Sequence, residues 1–288
     1  MTLDQVETNE MHSYVVVDAF TDTPLRGNPV AVFFNAEDLP AEQMQSIARE
    51  LNLSEVTFVL PPEQGGDARI RIFTPVNELP FAGHPLLGTA IALAESFKED
   101  RLRLETAMGV IDFELERGDG RALAARMEQP VPTWSVFDRT EELLAALGVP
   151  TPELPVELYV NGPRHVLVGL ESVEALSEVR PDHRALGAFP DMAANCYAGS
   201  GTSWHNRMFS PAYGVTEDAA TGSAAGPIAV HLARHGRTRF DQWIDIVQGT
   251  AIRRPSLMRA RVDGDTDGIA SVQVEGSGVI VARGIIYA

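Results

Sequence analysis

The sequence predicts an α+β protein made of two similar halves, each a mostly antiparallel sheet around a central helix, and three observations carry that reading. First, two stretches repeat one another: Arg71-Ile-Phe-Thr-Pro75 runs through Glu78 into FAGHPLLGTAIAL, and Arg207-Met-Phe-Ser-Pro211 runs through Glu217 into DAATGSAAGPIAVHL. Glu78 matches Glu217, Gly83 matches Gly222, His84 matches Ser223, Ala90 matches Ala229 and Leu93 matches Leu232, all 139 residues apart in a chain of 288. Second, the strand-like runs follow one another as hairpins and not in strict β-α-β alternation, which disfavours a doubly wound sheet. Third, the helices that start near Gly83 and Gly222 are apolar nearly all round, so each is expected to be buried inside its own sheet.

Taken in order, β-type runs bounded by Gly, Pro or Asp fall at 13–20, 28–34, 55–60, 68–73, 101–105, 110–116 and 122–128. Apolar residues at helical spacing predict helices over AEQMQSIAREL (41–51) and HPLLGTAIALAESF (84–97). The second half repeats the mixture: ELYV, HVLVGL and NRMFS as strands, a helix from Ser223 to about His235, then IDIVQ, LMRARV, IASVQVE and VIVARGI as strands. PVPTW at 130–134 reads as a linker, which divides the chain into an N-terminal domain, 11–130, and a C-terminal domain, 131–288. Residues 1–10 are polar and acidic and read as a loose, flexible extension.

The formal charge of −17, from 23 Lys and Arg against 40 Asp and Glu, disfavours nucleic acid and anionic membrane surfaces as partners. A single cysteine, Cys196, excludes an internal disulfide framework and points to a reducing cytoplasm. The start of the chain lacks the basic and apolar regions of a secretory signal, and the longest apolar stretch, LLGTAIALA, is far shorter than the roughly 20 residues that span a bilayer. A soluble, two-domain protein follows.

The repeat itself suggests chemistry. A helix N-terminus carries unpaired N–H groups and about half a positive charge, so two such ends facing a cleft would receive a small anionic molecule without Lys or Arg. Gly83 and Gly222 at these ends would let the ligand approach the backbone. Glu55 opens an apolar strand in LNLSEVTFVL; near apolar walls its ionised form is disfavoured, which suits a proton shuttle, though a solvated edge residue has the same sequence. His84, at a helix start, fits a neutral ligand-facing imidazole or a buried structural one. Asp218 and Ser223 fit either ligand contacts or helix caps. His231 and His235 have metal-ligand spacing, but no third ligand is evident, so no metal is expected. Neither a dinucleotide fingerprint, a P-loop nor a nucleophile elbow occurs, so no cofactor and no serine-hydrolase chemistry are expected.

With these residues collected, the chain from Met11 onward resembles the PhzF family. The resemblance rests on DAFTDTPLRGNPVAVF, NLSEVTFV around Glu55, IFTPVNELPFAGHPLLGTA around His84 and MFSPAYGVTEDAATGSAAG around Asp218. Leu86 stands where many family members have Thr, a form similar to the phenazine-pathway enzymes. The resemblance implies the two-domain, pseudo-symmetric fold of diaminopimelate epimerase, a homodimer, and cofactor-free isomerisation of trans-2,3-dihydro-3-hydroxyanthranilate to an amino-keto acid. It implies Glu55 as acid and base, His84 and Asp218 as supporting catalytic residues, and Gly83, Gly222 and Ser223 as substrate-binding residues. The epimerase relatives use two cysteines; Cys196 lies outside both helix-start motifs, which disfavours two-base racemisation. An epimerase or isomerase of another small acid, or a non-catalytic binder of such an acid, are the alternatives.

Overall fold

The structure is a computed structural model that describes residues 10–118 and 121–288; the expected N-terminal extension, apart from Glu10, lies outside the described residues. The first half runs β1 (Met11–Ala19), β2 (Asn28–Phe33), α1 (Ala41–Leu51), β3 (Glu55–Leu60), β4 (Ala68–Phe73), β5 (Glu78–Leu79), α2 (Gly83–Leu93), β6 (Arg101–Thr106), β7 (Gly109–Gly118) and β8 (Arg121–Gln129). The second runs β9 (Thr133–Val136), α3 (Thr140–Leu147), β10 (Glu157–Val160), β11 (Arg164–Gly169), α4 (Val173–Ser177), α5 (His183–Leu186), β12 (Ala193–Ser200), β13 (Ser203–Ser210), β14 (Val215–Asp218), α6 (Gly222–Arg234), β15 (Ile244–Gln248), β16 (Ser256–Gly264) and β17 (Ile269–Tyr287).

The duplication is visible in the pairing. In the first half β1–β2 is antiparallel, β2–β3 parallel, β3–β4 and β4–β5 antiparallel, β4–β6 parallel, and β6–β7 and β7–β8 antiparallel. The second half repeats the same series from β10–β11 to β16–β17. Side chains repeat with it. Arg71 grips Glu78 with two hydrogen bonds of 2.7 Å, and Arg207 grips Glu217 with bonds of 2.9 and 2.8 Å. Each guanidinium also lies 5.1 Å over the Phe two residues on, Phe73 or Phe209. A bidentate pair of this kind fixes the short strand that leads into each central helix.

Both central helices are enclosed: every residue of α2 is buried, as is α6 from Gly222 to Ala233. Their uniform apolarity is the cause, since a helix without a polar face has no side to give to water. Leu86 and Leu87 are fully buried, and truncating either to Ala would cost about 2–5 kcal/mol.

Two expectations need correction. IASVQVE and VIVARGI form one 19-residue strand, β17, because Gly276 and Gly278 let it pass Phe20 and Ile91 without turning. β17 joins the halves by pairing with β8 and β16 along its first part and with β1 along its last. The tail of the predicted linker, Thr133 and Trp134, belongs to β9, which pairs with β10. The helices α3, α4 and α5 and the strand β12 carry no strong periodic signal, being short or buried on both faces. Among the described residues no helix is long and apolar enough to cross a membrane.

Candidate active site

The repeat brings its two glycine-led helix starts into contact. A Cβ built on Gly83 would lie 2.8 Å from Gly222 Cα and would overlap the Gly222 carbonyl carbon and the Ser223 nitrogen. One built on Gly222 would lie 2.8 Å from the Phe20 ring and 3.0 Å from the Gly83 carbonyl carbon. The space a side chain would take at each glycine is thus filled by the opposing helix and by Phe20, so these positions admit no side chain. Phe20 adopts a φ of 63°, a left-handed conformation unusual for an aromatic residue, and this turn places its buried ring against Gly222. Neither helix start receives a side-chain cap, so the partial positive charge of both is undiminished there.

Beside this junction lies a cavity of about 50 Å³, room for a few water centres. All six residues singled out in the sequence line it: Glu55, Gly83 and His84 from the first half, Asp218, Gly222 and Ser223 from the second. A larger cavity of about 590 Å³ has Phe20 in its wall and none of the six.

Glu55 owes its place to the end of α1, where Asn52 turns left-handed and the chain reverses into β3. Its Oε2 is enclosed and lies 3.4 Å from His84 Nε2, yet the two atoms are not aligned as a hydrogen bond and neither has another partner. Unmatched buried polar atoms are rare and call for a function. Burial, and after it the charge of Asp218, pushes the Glu55 carboxyl well above the ordinary range. Asp218 is raised to about 6 by burial, held back by hydrogen bonds from Thr221 Oγ1 (2.7 Å), Asn28 Nδ2 (2.8 Å) and Ser54 Oγ (3.3 Å). The two carboxyls titrate as a pair. Three donors favour the ionised form of Asp218, while burial and that charge favour the protonated form of Glu55. Burial lowers His84 to about 3 against the pull of the Pro29 carbonyl, so its imidazole is neutral.

The second half does not repeat the acid. Parallel pairing begins at Val30 with Glu55 in one half and at His165 with Ala193 in the other, so the counterpart of Glu55 is an alanine. Cys196 is buried, and burial pushes its thiol up to about 12, which leaves it inert.

Several residues of the site have no sequence reading behind them. Asn28 Nδ2 donates to Asp218 and, at 2.9 Å, to the Ala220 carbonyl, and it lies 3.2 Å from His84 Nδ1. Gln129 Nε2 donates at 2.8 Å to the Gly222 carbonyl. Asn161 Nδ2 donates at 2.9 Å to the Ser223 carbonyl. Here a signal existed: Pro227 stands inside α6 without an N–H, which orphans the carbonyl four residues earlier, that of Ser223. A buried donor had to be found for it.

His231 and His235 do have a third neighbour, Glu157, which corrects the sequence reading. Glu157 Oε2 lies 3.1 Å from His231 Nδ1 and 3.4 Å from His235 Nε2. The same oxygen accepts from Arg234 Nη1 at 2.7 Å and from the Tyr159 hydroxyl at 2.8 Å; burial raises its carboxyl, but the bonds with His231, Arg234 and Tyr159 hold it far below the usual range. A guanidinium on the ligand oxygen opposes a second cation there.

Comparison with known proteins agrees with the fold. The sequence model of the PhzC-PhzF family, described as phenazine biosynthesis-like protein, matches residues 17–284, and the chain belongs to this family. It is 63% identical to trans-2,3-dihydro-3-hydroxyanthranilate isomerase of Pseudomonas fluorescens over 276 residues, 96% of this chain and 99% of that one. The Pseudomonas aeruginosa enzyme of the same name is 63% identical over 277 residues, 96% and 100% of the two chains. Among solved structures, a protein described as a predicted epimerase from Pseudomonas aeruginosa superposes with a TM-score of 0.81 at 31% identity, covering 96% and 99% of the chains. The hydroxyproline epimerase of Agrobacterium vitis, with a TM-score of 0.64 at 14% identity over 96% and 91%, shares the fold. The pseudo-symmetric, epimerase-like architecture expected from the sequence is thus the observed one.

Proposed function

We propose that the cavity beside the Gly83–Gly222 junction isomerises trans-2,3-dihydro-3-hydroxyanthranilate by cofactor-free proton transfer, with Glu55 as both base and acid. At 63% identity across 96% of the chain, the activity is that of the pseudomonad enzymes. The observation that carries the mechanism is the enclosed, unpartnered carboxylate oxygen Glu55 Oε2, whose counterpart in the other half is Ala193. One carboxylate suffices when a proton leaves and returns on one face.

Glu55, as carboxylate, takes the proton from the ring carbon that bears the hydroxyl. The double bonds shift along the ring, and Glu55 returns the proton to the carbon that bears the substrate carboxylate. The enol left behind tautomerises to the ketone. His84 and Asp218 orient the hydroxyl and amino groups. A charged amino group beside Asp218 would also offset the repulsion that adds to burial in holding the Glu55 proton, so binding itself releases the base. Gly83, Gly222 and Ser223 receive the carboxylate at the two helix starts.

The two domains, 11–130 and 131–288, are proposed as the bodies whose contact forms this site. Pairing of two copies is proposed as well, supported by the exposed Met11 and Tyr287, directly paired across β1 and β17, and by Ile285 beside them; sedimentation equilibrium checks it. A cytoplasmic setting suits the one buried thiol. The test of function is incubation with the dihydro acid followed by ultraviolet absorbance. In heavy water the product should acquire deuterium beside its new ketone, where the enol takes up a solvent proton. An unchanged spectrum with no deuterium uptake would refute the assignment.

A further inference from the structure

A chain of buried amides runs behind the cavity, and main-chain groups fix its direction. Thr221 N–H donates to Gln248 Oε1 at 3.3 Å, while Gln248 Nε2 donates to the Asp218 carbonyl at 3.0 Å and to Thr221 Oγ1 at 2.9 Å. Gln248 cannot flip without setting donor against donor at Thr221. Its Oε1 therefore faces the amide nitrogen of Asn206, at 2.8 Å, and that nitrogen gives its other hydrogen to Asn195 Oδ1 at 3.2 Å. Asn195 Nδ2 in turn bonds the Ala193 carbonyl at 3.1 Å and faces His165 Nδ1 at 3.4 Å. An imidazole nitrogen that meets an N–H must accept. His165 thus carries its proton on Nε2, which lies 3.1 Å from Ser223 Oγ.

We infer that His165 is a positioning residue: locked by the Gln248–Asn206–Asn195 chain with Nδ1 accepting, it donates from Nε2 to Ser223 Oγ and turns the Ser223 hydroxyl hydrogen toward the cavity as a fixed donor for the substrate carboxylate. Burial, which lowers His165 to about 3, keeps the ring neutral and the arrangement single. From Asn206 the same chain runs the other way through Gln248 and Thr221, whose hydroxyl donates to Asp218. One amide nitrogen therefore makes Ser223 a donor and Asp218 an acceptor, opposite polarities for opposite ends of an amino acid. His165 and Ala193 begin the pairing that Val30 and Glu55 begin in the other half, so the duplicated strand starts have diverged into a carboxylate-orienting side and a proton-transfer side.

This inference rests on the proposed function, and its test separates the two. Kinetics with the dihydro acid and binding of 3-hydroxyanthranilate, a flat analogue that keeps the carboxylate, are measured for the parent, His165→Leu, His165→Gln, Ser223→Ala and the double variant His165→Leu/Ser223→Ala. His165→Leu should raise KM and the analogue Kd about tenfold, the worth of one hydrogen bond to a charged group, with kcat within about twofold. His165→Gln, which keeps a donor near Nε2, should recover most of the loss. The double variant should be no worse than Ser223→Ala alone, because His165 acts through that hydroxyl. Binding of 2-aminophenol, which lacks the carboxylate, should be equal throughout. Additive losses in the double variant, or a His165→Leu variant with parental KM and Kd, overturn the inference while an active parent leaves the function standing. A parent that neither turns over the acid nor binds the analogue overturns both.

Discussion

Gly83 and Gly222, 139 residues apart, meet through main-chain atoms, with Gly222 Cα 2.8 Å from where a Gly83 side chain would begin. The two halves are thus in contact at the very point where the cavity opens, and no side chain can be added to Gly83 without parting them. Gly83→Ala should lose about 1–3 kcal/mol of stability, the usual result of overpacking a close contact, and activity should fall with it. Gly268→Ala, at a glycine with open space around it, serves as the neutral control in the same thermal melts.

Glu55→Gln should fold yet lose about 10²- to 10⁴-fold in turnover, the usual contribution of a general acid and base. It should also be more heat-stable than the parent at high pH. The folded pKa of Glu55 lies above its unfolded value of about 4.3. The stability linked to that raised group is present below the unfolded value and is lost as pH rises through the folded one. Glutamine cannot ionise, so the two melting curves should coincide near pH 4 and separate as pH rises. Parental turnover in a folded Gln variant would remove Glu55 from the mechanism.

Asp218→Asn probes the same pair from the other side. In the parent, kcat/KM should rise with pH through an apparent pKa above the ordinary carboxylate range, because Glu55 must lose its proton to act. Removing the Asp218 charge takes away the second cause of that elevation, so the acidic limb should move to lower pH while the rate itself falls. A limb that stays in place would mean that burial alone sets the Glu55 proton.

The parts of this protein legible in its sequence are those with local signals. The duplication was readable because Glu78 and Glu217 keep type and spacing with Gly83 and Gly222, with Arg71 and Arg207 in the same order before them, and the burial of α2 and α6 followed from their apolarity. All six predicted site residues line one cavity because the two helix starts abut beside the first residue of β3, Glu55, and the last of β14, Asp218. Asn28, Gln129, His165 and Gln248 were illegible for one reason: each acts through a contact far away in the chain, such as Asn28 with Asp218 at a separation of 190 residues. Polar residues in apolar strands announce burial, but their partners appear only when the strands pair. β17 reads as two strands, IASVQVE and VIVARGI, but the glycines between them are places where Phe20 and Ile91 press against a continuous strand.

Exhaustive chelation should leave turnover unchanged. Glu157, His231 and His235 present the donor types of a metal site, but Arg234 already holds the oxygen that would bridge them. Activity lost to EDTA and restored by one metal would contradict this. In that case Arg234→Gln should tighten metal binding, read by calorimetry with the metal alone.

The remaining prediction concerns how a chain of net charge −17 holds an acid. No Lys or Arg is among the residues that line the cavity, so the attraction must come from the helix starts and the Ser223 hydroxyl. Such contacts act over a few ångströms in a partly dry site, where dissolved ions screen little. Affinity for 3-hydroxyanthranilate should therefore change less than about threefold between 50 mM and 500 mM salt, since screening is strong only for exposed charges more than a Debye length apart. A crystal of the complex should place the carboxylate against Ser223 and main-chain N–H groups at the Gly83–Gly222 junction. A steep loss of affinity with salt, or a carboxylate paired with an arginine drawn in from outside the cavity, would show that side-chain cations do the holding.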